Sequence, residues 1–373
     1  MRDFALERYL SKWEFNVKYL LAASDIESMP LSDLLSLASP DDRRAFEELW
    51  LGYSETYGHA ELREEIAGTY QTVDPSEVLC FAGAEEGIYA AMRVLLGKGD
   101  HAIVVVPNYQ AAETVPLDIC EVSGVALDEQ DNWSLDIGRV KREIKDNTRL
   151  VSINFPNNPT GAVLARDRFM DLVELCRERG IYLFSDEVYR LVERDDSIRL
   201  PQAVDVYENA LSLNVMSKAF GLPGLRIGWI ACKDKALLAR MERYKHYLSI
   251  CNSAPSERLA IIALRAGYRI LERNRALVNG NAEKLEIFFG EYPELFDWRR
   301  SDGGCVGFPR YKGATDANQF CDELLSESGI LLLPPRIYSS ELMETPQDRF
   351  RIGFGRKDFE AGLNALRGYL ERT

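Results

Sequence analysis

The sequence has 373 residues, of which 46% are hydrophobic and 28% charged, and its formal net charge is −14. This length can bury a large core and predicts two domains, whereas the acidic balance argues against nucleic acids and anionic membranes as partners, since both are polyanions. The first residues are charged and no apolar run approaches the length of a membrane span. We therefore expect a cytoplasmic protein.

Seven cysteines and three histidines are scattered along the chain, and no Cys-x-x-Cys pair occurs. This distribution is typical of thiols in a reducing compartment and argues against a disulfide framework or a metal centre.

Residues 1–45 are predicted to form an N-terminal arm that joins a second domain. They combine mixed helical patterning with a passage rich in Ser, Asp and Pro. A loop at residues 52–59, which contains Tyr53, then leads into an amphipathic helix that ends near residue 70. Taken alone, Tyr53 has an ordinary interpretation as a packing residue.

A strand followed at once by a helix is predicted at residues 78–96. The helix opens at Gly83, Ala84 and Glu85. Such a turn of small residues bares backbone N–H groups at the positive end of the helix, which favours an anion. A turn that only serves packing, with acidic residues complementing the dipole, explains the pattern equally well.

Two further apolar runs end in residues that could carry chemistry. Residues 102–106 are typical of a parallel strand covered on both faces, and Tyr109 follows them. Residues 149–154 form the next strand, and a turn with Asn158 follows. Both residues also have structural interpretations, because aromatics cap cores and Asn favours turns.

The next two strands deliver a carboxylate and an amine. Asp186 follows an apolar run at residues 180–185 and, if buried, needs a partner, unless it serves as a helix N-cap. Lys218 follows a run at residues 211–215. Desolvation there would lower its pKa and favour a nucleophilic amine, although most lysines point into water.

Four motifs occur in order: Gly-Ala-Glu-Glu-Gly-Ile from Gly83, Asn-Asn-Pro-Thr-Gly from Asn157, Ser-Asp-Glu-Val-Tyr from Ser185 and Ser-Lys-Ala-Phe from Ser217. Together they resemble the aspartate aminotransferase superfamily, the class I/II group of fold-type I pyridoxal-phosphate enzymes. They look most like its histidinol-phosphate aminotransferase branch. The resemblance extends from about Tyr53 to Arg351.

The resemblance implies an α/β fold, a three-layer sandwich with a mostly parallel sheet, joined to a smaller α/β domain. The alternation of strands and helices favours the same class. After the arm at 1–45, we expect a large cofactor-binding domain at 46–250 and a C-terminal small domain at 251–373. A Lys/Arg/Glu-rich stretch at about 234–275 predicts a helix that connects the two.

The resemblance also implies that pyridoxal 5′-phosphate is bound as a Schiff base on Lys218. Asp186 would pair with its protonated ring nitrogen, and Tyr109 would stack on the ring. Asn158 and Tyr189 would reach its phenolic oxygen. Lys218, Asp186 and Tyr189 are thus the implied catalytic residues.

The cofactor phosphate is implied to bind the backbone amides of Ala84 and Glu85, the hydroxyl of Ser217 and the guanidinium of Arg226. Tyr53 would bond the phosphate in the neighbouring subunit. A homodimer with shared active sites follows from this resemblance.

Arg351 matches the arginine that grips the substrate α-carboxylate, next to Asn158. Candidates for contact with the substrate side chain are His59, Arg336 and Tyr338. The sequence also departs from the family: residues 21–25 lack a usual glycine, Val215 replaces a hydroxyl residue, and Pro335 replaces a turn glycine.

The resemblance implies a transaminase that moves an amino group from an amino acid to a 2-keto acid. The same site could instead serve a lyase, decarboxylase or cyclase, because the outcome depends on which bond is aligned for cleavage. A pyridoxal-phosphate-responsive DNA-binding regulator is disfavoured, since there is no basic stripe for DNA.

Overall fold

A seven-stranded sheet forms the centre of the structure, a computed structural model in which residues 2–372 are described. The strands of this described range are β1 (Tyr19–Leu20), β2 (Val78–Phe81), β3 (His101–Val106), β4 (Glu121–Ala126), β5 (Thr148–Asn154), β6 (Tyr182–Asp186), β7 (Ala210–Val215), β8 (Gly228–Cys232), β9 (Phe296–Asp297), β10 (Val306–Gly307), β11 (Arg310–Tyr311), β12 (Ile330–Leu331) and β13 (Ile352–Gly353).

The α-helices of the same range are α1 (Ala5–Trp13), α2 (Leu31–Ser36), α3 (Pro40–Glu47), α4 (Ala60–Ala67), α5 (Ala84–Leu95), α6 (Ala111–Leu117), α7 (Ile137–Glu143), α8 (Arg166–Arg179), α9 (Ala203–Val206), α10 (Lys235–Lys245), α11 (Ala254–Arg265), α12 (Gly267–Glu291), α13 (Ala317–Ser328) and α14 (Phe359–Leu370). Short 3₁₀ helices lie at Pro75–Glu77, Glu129–Asp131, Asp196–Ile198, Pro223–Leu225 and Pro335–Tyr338.

The strand order of the central sheet is β2-β8-β7-β6-β5-β3-β4, and only the pairings of β8 are antiparallel. The register sets Asn154 beside Asp186, and Asp186 beside Leu213. The carboxyl ends of three neighbouring parallel strands therefore meet at one edge, where open α/β sheets bind ligands.

The sheet is covered on both faces. In β3, Ile103 and Val105 belong to one buried apolar cluster, whereas Ala102 belongs to another. Alternate residues of a strand point to opposite faces, so the continuous apolar run fills two cores. This confirms the predicted α/β fold with a mostly parallel sheet.

The N-terminal arm joins the C-terminal part of the chain. Tyr19 and Leu20 pair in parallel with Ile330 and Leu331. The division into domains near residues 45 and 250 stays a prediction.

The single helix predicted at 234–275 is wrong. The structure divides this stretch into α10, a loop, α11 and the start of α12. Ile250 in the loop has a φ of 66°, and Pro255 lies in the first turn of α11. Proline is tolerated there because its missing N–H would have no partner in a helix start, so the residue begins a new helix. Among residues 2–372, no helix has the length and apolarity needed to cross a membrane.

Candidate active site

A cavity of about 490 Å³ lies where β2, β3 and β7 end, beneath α1. Six of the predicted cofactor residues line it, namely Ala84, Glu85, Tyr109, Ser217, Lys218 and Arg226. Asp186 lines a small adjoining recess that shares Tyr109 with the cavity. The fold thus brings these predicted residues to one place.

Lys218 follows the buried strand β7 and presents its amine to the cavity wall. Its Nζ donates a hydrogen bond to Ser24 Oγ at 2.9 Å and lies 5.9 Å from the ring centre of Tyr189. Burial lowers the pKa of Lys218, and the nearby carboxylate of Asp25 opposes this shift. The neutral, nucleophilic form of the amine is therefore more populated than in an exposed lysine.

Asp186 ends β6 as a buried carboxylate with 9% of its surface exposed. Its Oδ1 accepts a hydrogen bond of 3.2 Å from the backbone N–H of Val188. Burial raises the pKa of Asp186 to about 6, and Val188 and Lys218 oppose the shift. A cationic N–H placed in the recess would supply the counter-charge that the carboxylate needs.

The start of α5 and Arg226 form a cradle for an anion. Arg226 adopts a left-handed conformation, with a φ of 52°, and its guanidinium lies against Gly83. A Cβ on Gly83 would lie 2.4 Å from Arg226 Nη2, and one on Gly228 would lie 2.8 Å from the backbone N of Ala84. Glycine is required at 228 because the atoms that a Cβ would meet belong to the backbone, and at 83 because its φ of 100° is rarely adopted by other residues. A guanidinium beside bare helix N–H groups suits a phosphate.

Arg351 joins Asn158 and Tyr338 in a buried network. Arg351 is fully buried, and its Nη1 donates to Asn158 Oδ1 at 3.1 Å and to the Tyr338 hydroxyl at 2.8 Å. Tyr338 also donates to Asn158 Oδ1 at 3.2 Å. The Nε of Arg351 has no hydrogen-bond partner among residues 2–372. A buried guanidinium with an unused donor suits a carboxylate ligand.

Two tyrosines flank the cavity. The hydroxyl of Tyr189 donates to the backbone carbonyl of Ser24 at 2.8 Å, and that of Tyr109 donates to Glu7 Oε1 at 3.0 Å. Tyr109 also packs edge-on against Phe4. Burial raises the pKa of both phenols, so both hydroxyls stay protonated at neutral pH and can donate hydrogen bonds.

Three other predicted residues lie apart from Lys218. Tyr53 is 91% exposed, beside Cys251 and Asn252. His59 caps α4, where its Nδ1 accepts from the backbone N–H of Glu61 at 3.3 Å. Arg336 pairs with Asp322 at 2.7 Å on the surface. Of the three side-chain candidates, only Tyr338 reaches the network around Arg351.

The cavity has an acidic wall that the sequence motifs do not predict. Glu7, Glu14 and Asp25 line it, together with Glu85. Glu7 and Glu14 are seven residues apart, and this spacing places them on one face of a helix. The spacing indicates that the two glutamates share one face of α1. The position of α1 over the cavity, however, depends on tertiary packing.

These features fit pyridoxal phosphate. The cavity offers an amine, an anion cradle and an aromatic ring, and the recess beside it offers a carboxylate short of counter-charge. Among residues 2–372, no group of His, Cys, Asp and Glu side chains is arranged to hold a metal ion.

Comparison with known proteins agrees with this geometry. Residues 33–362 match the family described as "Aminotransferase class I and II". Capreomycidine synthase of Streptomyces vinaceus is 26% identical over 377 residues, which cover 98% of this chain and 92% of that protein. Arginine–pyruvate transaminase AruH of Pseudomonas aeruginosa is 28% identical over 343 residues, covering 86% and 85%. A pyridoxal-phosphate-dependent aminotransferase structure from Streptococcus suis has a TM-score of 0.92 at 29% identity, covering 100% and 98%.

Proposed function

Because this chain belongs to the class I and II aminotransferase family, we propose that it moves an amino group from an amino acid to a 2-keto acid with pyridoxal phosphate. The observation that carries the proposal is the amine of Lys218, which lies in one cavity with the Arg226 cradle. When bound, the cofactor supplies an aldehyde that reacts with amines and a ring that withdraws electrons from the substrate.

The residues around the cavity divide the work of holding this cofactor. Ser217, Arg226 and the amides of Ala84 and Glu85 would bind its phosphate. Tyr109 would stack on its ring, which its position at the cavity wall supports.

Asp186 would keep the ring nitrogen protonated, because burial raises the pKa of its carboxyl and the charge of Lys218 offsets this only in part, so a cationic N–H beside it would be stabilised. Asn158 and Tyr189 would donate to the phenolic oxygen. Tyr189 holds the Ser24 carbonyl at 2.8 Å, so it would exchange or share that bond.

Lys218 and Arg351 would act on the substrate. Arg351 would bind the α-carboxylate through its fork of N–H groups, which orients the Cα–H bond. The amine of Lys218, once free, would take the proton from Cα, because burial keeps a fraction of it neutral.

A screen of amino acids tests the function. Each amino acid is added to the cofactor-loaded enzyme without a keto acid, and the absorbance of the cofactor is followed together with keto-acid release. We expect conversion of the cofactor to its amine form and one keto acid per site. Turnover of a substrate without either product would contradict transamination.

A second outcome at the same site is a lyase, decarboxylase or cyclase reaction. It is favoured by the likeness to capreomycidine synthase, a protein named as a synthase, across 98% of this chain. Mass spectrometry of the products separates the two functions, because a cyclase retains the amino nitrogen in its product whereas a transaminase transfers it.

The substrate side chain is proposed to be cationic. Glu7, Glu14, Asp25 and Glu85 all line the cavity. Asp25 is already paired with Arg356, whereas the cations that share the cavity, Lys218 and Arg226, have other roles. Burial, and then the charge of Glu7, raises the pKa of Glu85 to about 7. A guanidinium or ammonium group would relieve this crowding of carboxylates. The likeness to arginine–pyruvate transaminase supports the same class.

Glu14→Gln tests this preference. Glu14 lines the cavity, and burial followed by the charge of Asp25 raises its pKa, so a cation nearby would favour its charged form. We expect the KM for a cationic amino acid to rise about fivefold, the equivalent of about 1 kcal/mol for a partly exposed ion pair. The KM for a neutral amino acid should not change. Glu47→Gln, on the surface of α3, is the control, and equal effects on both substrates would refute the assignment.

We also propose a homodimer in which Tyr53 enters the neighbouring site. Tyr53 is 91% exposed, and Trp50 and Leu51, which precede it closely in the sequence, are 88% and 76% exposed. Tyr247 is also 92% exposed. Large apolar side chains so exposed are typical of an interface.

The seven free cysteines are typical of a protein in a reducing compartment, and we propose the cytoplasm as its location.

Tyr53→Phe should weaken cofactor binding without dissociating the dimer. Loss of one hydrogen bond to a charged phosphate should raise the cofactor Kd about tenfold. Equilibrium dialysis gives the Kd, and analytical ultracentrifugation gives the mass. Tyr268→Phe, a similarly exposed tyrosine on α12, is the control. A monomeric parent protein, or an unchanged Kd, would contradict the shared site.

A further inference from the structure

We propose that the hydroxyl of Ser24 positions the amine of Lys218 and stabilises its protonated form during proton transfer. This inference rests on the proposed role of Lys218. The contact that carries it is the hydrogen bond of 2.9 Å from Lys218 Nζ to Ser24 Oγ. Within residues 2–372, no other hydrogen bond from this amine is present.

The segment that carries Ser24 is held by residues of the site itself. Arg351 Nη2 donates to the carbonyl of Ala22 at 2.6 Å, and the Tyr189 hydroxyl donates to the carbonyl of Ser24 at 2.8 Å. Two backbone carbonyls next to the Ser24 hydroxyl therefore accept hydrogen bonds from Arg351, which we place at the substrate, and from Tyr189, which we place at the cofactor. The position of Ser24 Oγ is set by these contacts and not by a mobile loop.

The C-terminal part of the chain fixes the same segment from behind. Arg356 Nη2 bonds both carboxylate oxygens of Asp25 at 2.9 Å. A Cβ on Gly353 would lie 1.7 Å from the carbonyl oxygen of Ala23, and one on Gly355 would lie 2.3 Å from that of Asp25. Only glycine permits such close approach, so the segment is packed tightly against the strand end.

The chemistry of proton transfer explains why a hydroxyl is useful here. When Lys218 is free, its lone pair must face the substrate Cα, and the hydrogen bond to Ser24 directs one N–H away from it. After Nζ takes the proton, the ammonium donates a stronger, charge-assisted bond to the same oxygen. Ser24 neither gains nor loses a proton, so it acts as a positioning residue.

A pH titration of the cofactor-free protein tests the proposal without requiring turnover. The rate of reductive methylation of Lys218 is followed by peptide mass spectrometry between about pH 6 and pH 11. This range contains both ordinary and lowered lysine pKa values. Because a hydrogen bond to the charged form favours that form, Ser24→Ala should move the midpoint about one pH unit lower. Ser24→Thr should restore the parent midpoint.

Ser28→Ala provides the matched control. Ser28 lies in the same segment, and it is bonded through its carbonyl, which accepts from Arg273 at 3.1 Å. Circular dichroism monitors folding of each variant, and Ser24→Gly replaces Ser24→Ala if that variant misfolds.

An unchanged midpoint in both Ser24→Ala and Ser24→Gly would overturn the proposal, even if the enzyme is a transaminase. Conversely, absence of any transamination would leave the shift in midpoint intact. In an active enzyme, we expect Ser24→Ala to lower kcat about tenfold with little change in KM, as for a group that acts on the proton transfer step.

Discussion

Replacing Lys218 with alanine should abolish turnover and covalent cofactor binding while leaving the protein folded. The amine is the nucleophile in the cavity and the base proposed to act on Cα, so its removal deletes two roles at once. We expect kcat to fall by about 10³-fold or more, from the range measured for loss of a general base. Borohydride reduction followed by peptide mass spectrometry should find the cofactor on Lys218 in the parent and on no peptide in the variant.

Stability should respond differently from activity in this variant. Burial lowers the pKa of Lys218, which means that the folded protein disfavours its ammonium form. Its replacement therefore removes one hydrogen bond to Ser24 but also a desolvated charge, and the free energy of unfolding should change little. Lys235→Ala, at the exposed start of α10, is the control for general effects of losing a lysine. Persisting turnover in Lys218→Ala would exclude the proposed mechanism.

The central sheet was accessible from the sequence because its strands are continuous apolar runs. Residues 102–106 and 149–154 were predicted as strands, and β3 and β5 each begin one residue earlier. An apolar run of this kind, buried on both faces, has few alternatives in a chain of alternating strands and helices. The same pattern places Asp186 and Lys218 at carboxyl ends of strands.

Contacts between distant parts of the chain were not accessible. The bond from Lys218 to Ser24 joins residues 194 positions apart, and that from Arg351 to Ala22 joins residues 329 apart. Neither local propensity nor periodicity encodes such pairs. The single helix predicted at 234–275 is wrong because the periodic apolar residues continue across a loop, so the periodicity does not reveal the break. Pro255 marks the end of this loop.

Motifs predict the cofactor residues and the arginine proposed for the substrate α-carboxylate, but not the acidic residues proposed to face the substrate side chain. The resemblance covered Asn158, Asp186 and Lys218, which sit in short, specific motifs. Glu14 and Ser24 lie in an arm without such a motif, and their place at the cavity depends on how α1 packs. The histidinol-phosphate branch and the domain boundaries also stay predictions.

Asp186→Asn should stabilise the cofactor-free protein and yet inactivate the enzyme. Burial raises the pKa of Asp186 to about 6 in the folded protein, whereas an unfolded chain has a value near 3.9. Below about pH 3, the carboxyl is protonated in both states and costs nothing. As the pH rises to about 6, the carboxyl ionises first in the unfolded chain. The free energy of unfolding therefore falls by on the order of 3 kcal/mol.

Asparagine has a similar shape and does not ionise, so the variant should escape this cost. At pH 7.5 we expect a higher melting temperature than in the parent, and the difference should vanish near pH 3, roughly. Calorimetry of both proteins, stripped of cofactor, across this pH range measures the effect. A variant less stable than the parent at pH 7.5 would show that the carboxylate has a structural partner instead.

Glu187→Gln separates this effect from the role in catalysis. Glu187 is the next residue, also buried, and burial raises its pKa to about 7. Its Oε1 accepts from Ser212 and from the backbone of Ala203 at 2.8 and 2.9 Å, contacts that glutamine can keep. We expect this variant to keep its activity and to gain stability at pH 8 or so, since its carboxylate titrates in the same direction.

The cofactor-loaded Asp186→Asn enzyme should lose activity because its ring partner is gone. A neutral amide cannot hold a proton on the ring nitrogen by charge, and breaking a buried ion pair costs about 3–5 kcal/mol. We therefore expect kcat/KM to fall by about 10²-fold or more. A gain in stability together with a loss of activity in Asp186→Asn would show that this carboxylate serves the chemistry and not the fold. Its buried charge is then compensated when a cation lies beside it. Equal activity in Asp186→Asn and Glu187→Gln would remove the carboxylate from the mechanism.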